Sequence, residues 1–413
     1  MNFEWFITKR LIGGKDYKSS ISAPIIKIAV AAIAIGVVMM LISVGTGVGL
    51  QQKIRDKVAA FNGHITIGNL DSNNSRVTLK PISNRQDFYP KFDEIKGISH
   101  IQTVATKYGV IRTETDFEGI VVKGVGPHYR WKYLKEYLIK GQLPEYSKDD
   151  KYSKKILISD YLAKRLSFDV GDQVVVYFMG DDAQSRPRLV AFQISGIFSS
   201  GFQEFDETFL IADIDQIKRI NNWKDDEVGN FEVFVSDFDK IDQRGEEVYR
   251  HIDSFLDAQT ITQAYPAIFE WLALFDFNIA LIIGVMILVA GINMITALLV
   301  LILERTPMIG MLKAMGSTNW SIRKIFLYNA GYLIFRGLLW GNVIGIGLLL
   351  IQKYGKIISL NPDTYYVTEA PVYLSITSVL AINIGTMLLC LVMLLIPSYI
   401  ITKITPVKAI RFE

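Results

Sequence analysis

Four stretches of the chain carry almost no charge over lengths that could cross a lipid bilayer. Residues 28–50, 277–303 and 370–402 hold no charged side chain, and residues 325–352 are interrupted only by Arg336. A membrane-spanning helix needs about 20 apolar residues, and one arginine is tolerated where it faces protein or water. Because only helices and closed barrels satisfy their backbone in lipid, the sequence predicts a multi-pass α-helical membrane protein.

The composition excludes several classes of function. The 413 residues are 50% hydrophobic and 21% charged, which is too apolar for a soluble globule and too charged to lie wholly in lipid. Lysine and arginine number 44 against 41 acidic residues, so the basic field of a nucleic-acid-binding protein is missing and no nucleic-acid partner is expected. The single cysteine, Cys390, can form neither an intramolecular disulfide nor a cysteine-based metal cage.

The distribution of lysine and arginine predicts the orientation. Residues 1–27 hold five of them, residues 304–324 four and the C-terminal tail three, whereas two in residues 353–369 are balanced by two acids. The positive-inside rule therefore places both termini and the 304–324 loop in the cytoplasm. The predicted order is cytoplasmic segment 1–27, span 28–50, external domain with its stalk 51–276, span 277–303, cytoplasmic helix 304–324, span 325–352, external loop 353–371, span 372–401 and cytoplasmic tail 402–413.

The large segment between the first two spans has the pattern of a mixed α/β domain. Alternating or short apolar runs predict strands at 104–110, 119–125, 174–178, 189–198, 208–212 and 231–235, and helices at 88–95, 159–166, 214–220 and 241–256. The sequence holds no His-Glu-x-x-His motif, no Gly-x-Ser-x-Gly elbow and no phosphate-binding Gly-x-x-x-x-Gly-Lys-Ser/Thr loop. We therefore expect no catalytic, metal or cofactor site in this chain, so that any ATP would be bound by another chain.

The loop after the second span predicts a short amphipathic helix of under three turns. Thr306 is suited to cap its start, with Pro307 as the first helical residue, and Gly316 is suited to end it. The pattern leaves two interpretations open, because such a helix either lies in the membrane interface or docks in the groove of a partner. Its apolar residues are Met308, Ile309, Met311, Leu312 and Met315.

Two glycine patterns predict close helix packing rather than a site. Gly337, Gly341 and Gly345 recur every four residues on the third span, and Gly45 and Gly49 do so on the first. Small residues at this spacing let two membrane helices approach closely.

The loop helix resembles that of a known family. Glu304-Arg305-Thr306, the run 309–317 (IGMLKAMGS) and the run 322–326 (IRKIF) are similar to the coupling helix of the FtsX/MacB-type, or type VII, ABC transporter permeases. Residues 3–10 (FEWFITKR), 361–367 (NPDTYYV) and 406–411 (PVKAIR) are similar to the lipoprotein-releasing permeases LolC and LolE. The layout of one span, a large external domain and three further spans agrees over the full length.

The resemblance implies a non-catalytic permease subunit of the bacterial inner membrane, with four transmembrane helices in a 1+3 arrangement and a MacB-like periplasmic domain. It implies a separate LolD-like ATPase dimer that binds ATP and Mg²⁺, a second permease, identical or related, and a lipoprotein as substrate. The family usually has an acidic residue where this chain has Met308. The residues assigned to ATPase coupling are Glu304, Arg305, Met308, Ile309, Met311, Leu312, Lys313, Met315 and Gly316.

Two further sets of residues follow from the resemblance. A dimer of such permeases would form an apolar cavity between first and second spans, with candidates Val38, Leu41, Val44, Val48, Phe275, Ile279, Ile282 and Met286 at helical spacing. Ordinary intramembrane packing explains the same spacing. The stretch that matches the chaperone-recruiting hook of LolC is short, and recruitment of a LolA-like chaperone stays open. Its residues are Met179, Gly180, Asp181, Arg186, Pro187 and Arg188.

Other functions remain as alternatives. Within the same superfamily, the chain could be a permease for efflux or one that controls a cell-wall hydrolase. A membrane-anchored enzyme is disfavoured because no catalytic motif is present. A sensor or scaffold without transport would lack an ATPase in its complex.

Overall fold

The computed structural model describes residues 3–13, 23–72, 75, 77–114, 116–146, 152–180 and 186–405. The chain divides into two compact units. The membrane unit comprises Met1–Gln51, Leu272–Ser359 and Glu369–Glu413, and the external domain comprises Gln52–Trp271 and Leu360–Thr368.

Among the described residues, four helices are long and apolar enough to cross a membrane, within Pro24–Asn62, Pro266–Glu304, Asn319–Gly355 and Ile376–Lys403. Their order, one helix before the large domain and three after it, confirms the predicted fold class. In chain order the helices are α1 (Phe3–Gly13), α2 (Ala23–Asn62), α3 (Lys132–Lys135), α4 (Asp160–Arg165), α5 (Gln203–Thr208), α6 (Ile214–Asn221), α7 (Ile241–Arg250), α8 (Ile261–Ala264), α9 (Pro266–Glu304), α10 (Thr306–Ala314), α11 (Asn319–Gly355), α12 (Pro362–Tyr365), α13 (Ile376–Ser398) and α14 (Ile400–Lys403).

Hydroxyl caps set the starts of the last two spans. The Oγ1 atom of Thr318 accepts the N–H of Ser321 at 3.3 Å, so α11 begins before the uncharged stretch does. The Oγ atom of Ser375 accepts the N–H of Ser378 at 3.0 Å, so α13 begins at Ile376 although the uncharged run starts earlier. Capping side chains satisfy backbone donors that the first helical turn leaves free.

The core of the membrane unit is apolar and closely packed. A Cβ atom added at Gly337 or Gly341 would lie 2.7 Å from the Cβ of Ile33 or Val37 of α2. One added at Gly345 would lie 2.9 Å from the Cδ1 of Leu41. The glycine pattern of the third span therefore lets α11 lie directly on α2, as the sequence predicts.

The external domain is built on one large mixed sheet. Its strands are β1 (Ile65–Asn69), β2 (Ile82–Ser83), β3 (Ile98–Arg112), β4 (Phe117–Val125), β5 (Leu138–Gly141), β6 (Lys155–Ser159), β7 (Gln173–Phe178), β8 (Arg188–Phe198), β9 (Phe209–Asp213), β10 (Glu227–Val228), β11 (Asn230–Val235) and β12 (Leu256–Thr260). In the described part of the chain, ten strands pair in the order β12-β1-β11-β3-β4-β9-β6-β8-β5, with β7 pairing β3 and β8, and β2 pairs β10 separately. The pairs β4/β9 and β6/β8 are parallel and the others antiparallel. Helices α6 and α7 are amphipathic and bury their apolar residues in this domain.

Two predicted helices of this domain are wrong in whole or in part. Residues 88–95 are irregular, because Pro90 has no N–H and disfavours a helical residue before it. Phe88 instead stacks on Phe92, with ring centroids 5.0 Å apart. The helix predicted at 241–256 ends at Arg250, and Leu256 begins strand β12.

Candidate functional site

The loop between the second and third spans forms the short helix α10, and its first residues differ from the prediction. The N-cap is Arg305, which is half-buried, and Pro307 is the second helical residue. Thr306 does not cap, because its hydroxyl donates to the carbonyl oxygens of Ile302 at 3.2 Å and Leu303 at 2.8 Å. The hydroxyl thus joins α10 to the end of α9, where Glu304 is exposed.

The end of α10 is a Schellman motif, as the predicted stop at Gly316 requires. The N–H of Gly316 donates to the Lys313 oxygen, and the N–H of Ser317 to the Leu312 oxygen, both at 3.0 Å. Gly316 has a φ of +91°, a left-handed conformation that favours glycine. The chain therefore turns sharply from α10 into the third span.

The apolar residues of α10 lie on two faces rather than one. Ile309 and Leu312 are 0% and 5% exposed and belong to the core of the membrane unit, and Met308 packs against that core. Met311 and Met315 are 53% and 74% exposed. We call Met311 and Met315 the methionine face. The sequence predicts one broad apolar surface, and three of its five residues are used inside the chain.

Lys313 is also used inside the chain. Its Nζ atom donates to the carbonyl oxygens of Ile401 at 2.7 Å and Ile404 at 2.6 Å, and lies 3.5 Å from that of Thr402. These carbonyls lie at the end of α14, where a helix leaves acceptors unpaired and favours a positive charge. Burial lowers the pKa of Lys313. The lysine thus ties α10 to the last helix of the membrane unit.

The predicted cavity residues divide into buried and half-buried sets. Leu41 and Val44 are buried in the core of the membrane unit, where Leu41 contacts the Gly345 position of α11. These two residues support packing within one chain. The other six are half-buried: Val38, Val48, Phe275, Ile279, Ile282 and Met286.

Within the membrane unit, the first and second spans contact each other through glycines of the first span. A Cβ atom added at Gly47 would lie 2.6 Å from the Cδ1 of Ile279, and one added at Gly36 would lie 3.7 Å from the carbonyl oxygen of Met286. The two spans of one chain therefore lie side by side. Ile279 and Met286, two of the predicted cavity residues, thus take part in packing within one chain.

The hook-like stretch connects β7 to β8, which are antiparallel neighbours with Phe178 opposite Arg188. Met179, Arg186 and Pro187 are exposed, as is Gly180, and Asp181 lies outside the described residues. The Nη1 atom of Arg188 donates to the carbonyl oxygens of Arg219 at 3.0 Å and Ile220 at 2.6 Å at the end of α6. Arg188 therefore holds the hairpin onto the external domain.

A buried ion pair holds the end of α2 in the external domain, and the sequence did not predict it. Lys123 of β4 pairs with Glu232 of β11, and their side chains are 1% and 4% exposed. The Lys123 Nζ atom also donates to the carbonyl oxygen of Phe61 in the last turn of α2, and the Tyr129 hydroxyl donates to that of Ala60 at 3.1 Å. Burial raises the pKa of the Tyr129 phenol well above its usual value. The last carbonyls of this long helix are thus fixed by the sheet.

The 361–367 segment is also held in the external domain. Lys57 of α2 donates to the carbonyl oxygens of Ser200 and, at 2.8 Å, of Tyr366. The Tyr366 ring stacks on Phe202 at 4.5 Å and meets the edge of Trp271 at 5.8 Å. These contacts give the family-like run a structural role. Lys57 is one of several charged side chains in residues 51–62, so local spacing gives no signal of this long-range pairing.

Comparisons with known proteins found relatives along most of the chain and a solved structure that covers about half of it. The LolC transmembrane protein of a lipoprotein-releasing system from Xylella fastidiosa (strain Temecula1) is 21% identical over 386 residues, which cover 88% of each chain. The corresponding LolE protein of Haemophilus influenzae is 22% identical over 423 residues, which cover 99% of each chain. The crystal structure of the periplasmic region of MacB from Actinobacillus actinomycetemcomitans covers 49% of this chain and 91% of its own, with 15% identity and a TM-score of 0.33.

Two family models match in succession along the chain. The model described as the MacB-like periplasmic core domain matches residues 28–248, which is more than half of the chain. The model described as the FtsX-like permease C-terminal matches residues 280–406. The chain therefore belongs to the family of MacB-like and FtsX-like ABC transporter permeases that includes the lipoprotein-releasing proteins LolC and LolE.

Proposed function

We propose that the chain is the permease subunit of an ABC transporter that extracts lipoproteins from the outer leaflet of the bacterial inner membrane and releases them towards the outer membrane. A separate ATPase dimer binds ATP and Mg²⁺ and drives the cycle, and a second permease, identical or related, completes the transporter. The observation that carries the proposal is the exposed methionine face of α10, between the second and third spans.

The methionine face is suited to docking because the rest of α10 is fixed. Ile309 and Leu312 bury one side of the helix and Lys313 fastens it to α14, so that force applied to Met311 and Met315 acts on the spans rather than on a loose loop. Methionine side chains adapt to irregular apolar grooves. This arrangement supports a contact with a partner ATPase.

The chemistry of the substrate requires an apolar path. Exposing one acyl chain of about 16 carbons to water costs roughly 12 kcal/mol, at about 0.8 kcal/mol for each methylene. The acyl chains must therefore pass from lipid into an apolar cavity. We propose that the half-buried residues of the first two spans line it where two permeases meet, next to the exposed side chains of Phe277 and Leu281.

Recruitment of a periplasmic chaperone by residues 179–188 stays a prediction. The exposed side chains of Met179, Arg186 and Pro187 are available for such a contact. Arg188 is not, since its guanidinium binds carbonyl oxygens at the end of α6.

The docking proposal predicts that Met311→Glu combined with Met315→Glu strongly reduces stimulation of ATP hydrolysis. Burying two carboxylates in an apolar groove is strongly unfavourable, so we expect the stimulated rate in proteoliposomes to fall by about tenfold or more. Met179→Glu is the matched control, since this methionine is 63% exposed and lies in the external domain. Unchanged stimulation by the double variant would show that the methionine face does not dock on the ATPase and would remove the main support for the proposal.

The substrate is tested in cells by depleting the chain and separating inner from outer membranes. Lipoproteins destined for the outer membrane should accumulate in the inner-membrane fraction, because no other step of the proposal releases them. Normal sorting together with an intact ATPase response would instead favour an efflux permease or one that controls a cell-wall hydrolase.

A further inference from the structure

The external domain has a groove between the open edge of its sheet and a helix. Strand β12 stands at one end of the strand order and pairs with β1 on one side. Helix α7 runs beside it and approaches closely at Gly245, where an added Cβ atom would lie 2.5 Å from the Cγ2 of Thr260. The groove between them has a volume of about 700 Å³ and is lined by residues of both elements.

The hydrogen bonds at the two ends of β12 define which backbone groups face the groove. The N–H of Leu70 donates to the carbonyl oxygen of Phe255 at 3.1 Å, and the N–H of Ile261 donates to that of His64 at 3.0 Å. In an antiparallel pair, alternate residues turn their N–H and C=O groups towards the partner strand. Residues 255, 257, 259 and 261 therefore face β1, and residues 256, 258 and 260 face away from it.

Ala258 is the open position of this edge. The N–H of Leu256 is paired with the carbonyl oxygen of Asp253 at 2.9 Å, and the N–H of Thr260 with the side-chain oxygen of Gln263 at 3.1 Å. The N–H and C=O of Ala258 have no hydrogen bond to any residue in the part of the chain that the structure describes. A donor and an acceptor on one residue, both facing the groove, are what an added strand requires.

The charged side chains that line the groove are mainly acidic. Asp242 and Glu246 lie four residues apart on α7, and Asp257 lies on β12, against one cation, Arg250, whose Nη2 is 3.4 Å from Glu246. The ring of Tyr249 is 56% exposed beside them. A lysine or arginine side chain entering the groove would meet carboxylates and an aromatic ring, both of which attract cations.

We propose that this groove binds an extended, positively charged segment of another polypeptide, which adds to the sheet beside β12 and pairs with Ala258. A helical segment has no free backbone groups to offer the edge. A second copy of this domain would bring an equally acidic groove against this one, which like charges oppose. The proposal goes beyond transport of the substrate and does not depend on the ATPase contact.

The test uses the full chain in nanodiscs of zwitterionic lipid, so that a basic peptide does not bind the bilayer. The probe is a fluorescent hexapeptide of alternating lysine and valine, with binding followed by anisotropy. A peptide with glutamate in place of lysine tests charge, and one with proline at a central valine tests strand pairing, because proline lacks the donor. We expect both to bind at least about tenfold more weakly.

Variants of the chain test the same two features of binding, which are charge attraction and strand pairing. Asp242→Asn combined with Glu246→Gln should weaken binding of the lysine peptide by roughly fivefold to tenfold, because it removes two carboxylates that attract the lysine side chains. Asp87→Asn combined with Asp93→Asn removes the same charge from exposed positions outside the groove and should leave binding unchanged. Ala258→Pro should abolish binding while amide exchange in β1 stays slow, because the lost N–H does not face β1.

Hydrogen exchange gives a readout that needs no variant. Binding of the lysine peptide should slow exchange of the Ala258 amide. Equal binding of the proline peptide, or no added protection at Ala258, would overturn the proposal. Protection that appears with rising protein concentration and no peptide would assign the edge to a second copy and overturn it as well.

Discussion

The hydrogen bonds of Lys313 change how the role of this residue is interpreted. In the family-based prediction it is a contact to the ATPase, whereas its amino group here binds carbonyl oxygens of Ile401 and Ile404. A charge reversal at this position therefore breaks a contact inside the chain before it reports on any partner. Met311 and Met315 are the informative positions for docking.

The internal role of Lys313 predicts the effect of Lys313→Met. Leaving two carbonyl oxygens at the end of α14 without their donor should cost about 1–3 kcal/mol. We expect faster amide exchange in α10 and α14, measured by mass spectrometry on the purified chain. Lys313→Arg retains charge and donors and should recover part of the protection.

Lys324→Met is the control for Lys313→Met. Lys324 also lies near the ends of the spans, but its nearest acidic partner, Glu4, is 3.9 Å away, and its side chain is 38% exposed. This variant should leave exchange in α14 unchanged. Equal protection of α14 in the wild type and in Lys313→Met would show that the hydrogen bonds of Lys313 do not stabilise this helix.

At the scale of elements, the glycines of the third span can be tested against one another. Gly341 lies against α2, where an added Cβ atom would be 2.7 Å from the Cβ of Val37 and 2.9 Å from the carbonyl oxygen of Ala34. Gly341→Leu should push the two helices apart and destabilise the membrane unit by about 1–3 kcal/mol or more. The midpoint of thermal unfolding in detergent measures this.

Gly347→Leu is the matched variant on the same helix. An added Cβ atom at Gly347 would meet no atom within 4 Å, so leucine gains helix propensity without a clash. Its unfolding midpoint should be unchanged or higher. If the unfolding midpoints of both variants fell by the same amount, the loss of stability would come from the added bulk or hydrophobicity of the helix and not from the α2/α11 contact.

The sequence predicts elements best where one local pattern decides them. The spans follow from charge-free runs, and the end of α10 follows from Gly316. The helix predicted at residues 88–95 is wrong, because Pro90 has no N–H and disfavours a helical residue before it, which apolar spacing alone does not show. The end of α7 was missed, because Leu256 fits an apolar helix face and a buried strand equally well.

The position of the candidate site in the sequence was predictable, but the directions and partners of its side chains were not. The family-like pattern located α10, yet it could not divide the apolar residues between Ile309, which faces the core, and Met311, which faces outward. The partners of Lys313 lie 88 to 91 residues further along the chain. Local spacing carries no information about such pairs, and the same is true of Lys123 and Glu232.

At the scale of the whole molecule, the two units should respond differently to acid. All four histidines of the sequence, at positions 64, 100, 128 and 251, lie in the external domain. Among them His64 is buried, with its ring between those of Phe234 and Phe238 at 5.5 Å each. Its Nδ1 atom accepts the N–H of Val235 at 2.9 Å, which requires that nitrogen to be unprotonated.

Burial lowers the pKa of His64 from 6.5 to about 4. Above pH 6.5 the ring is neutral in both folded and unfolded states, so its contribution to stability is fully present and does not change with pH. Between pH 6.5 and 4 the unfolded chain binds a proton that the folded domain does not bind. The external domain should therefore lose about 3 kcal/mol of stability over this range, at about 1.4 kcal/mol for each pH unit, with no further loss from this group below pH 4.

Urea unfolding at pH 7 and pH 4.5 measures this loss, with Trp131 and Trp223 as reporters and the other four tryptophans changed to phenylalanine. His64→Asn keeps an acceptor for the Val235 N–H and removes the titration, so most of the acid sensitivity should disappear. His128→Asn, at an exposed position, should leave the acid sensitivity of the domain unchanged. If His64→Asn retained the full loss, the acid response would come from other groups of the domain, such as its carboxyl groups or the half-buried His100, whose pKa burial also lowers.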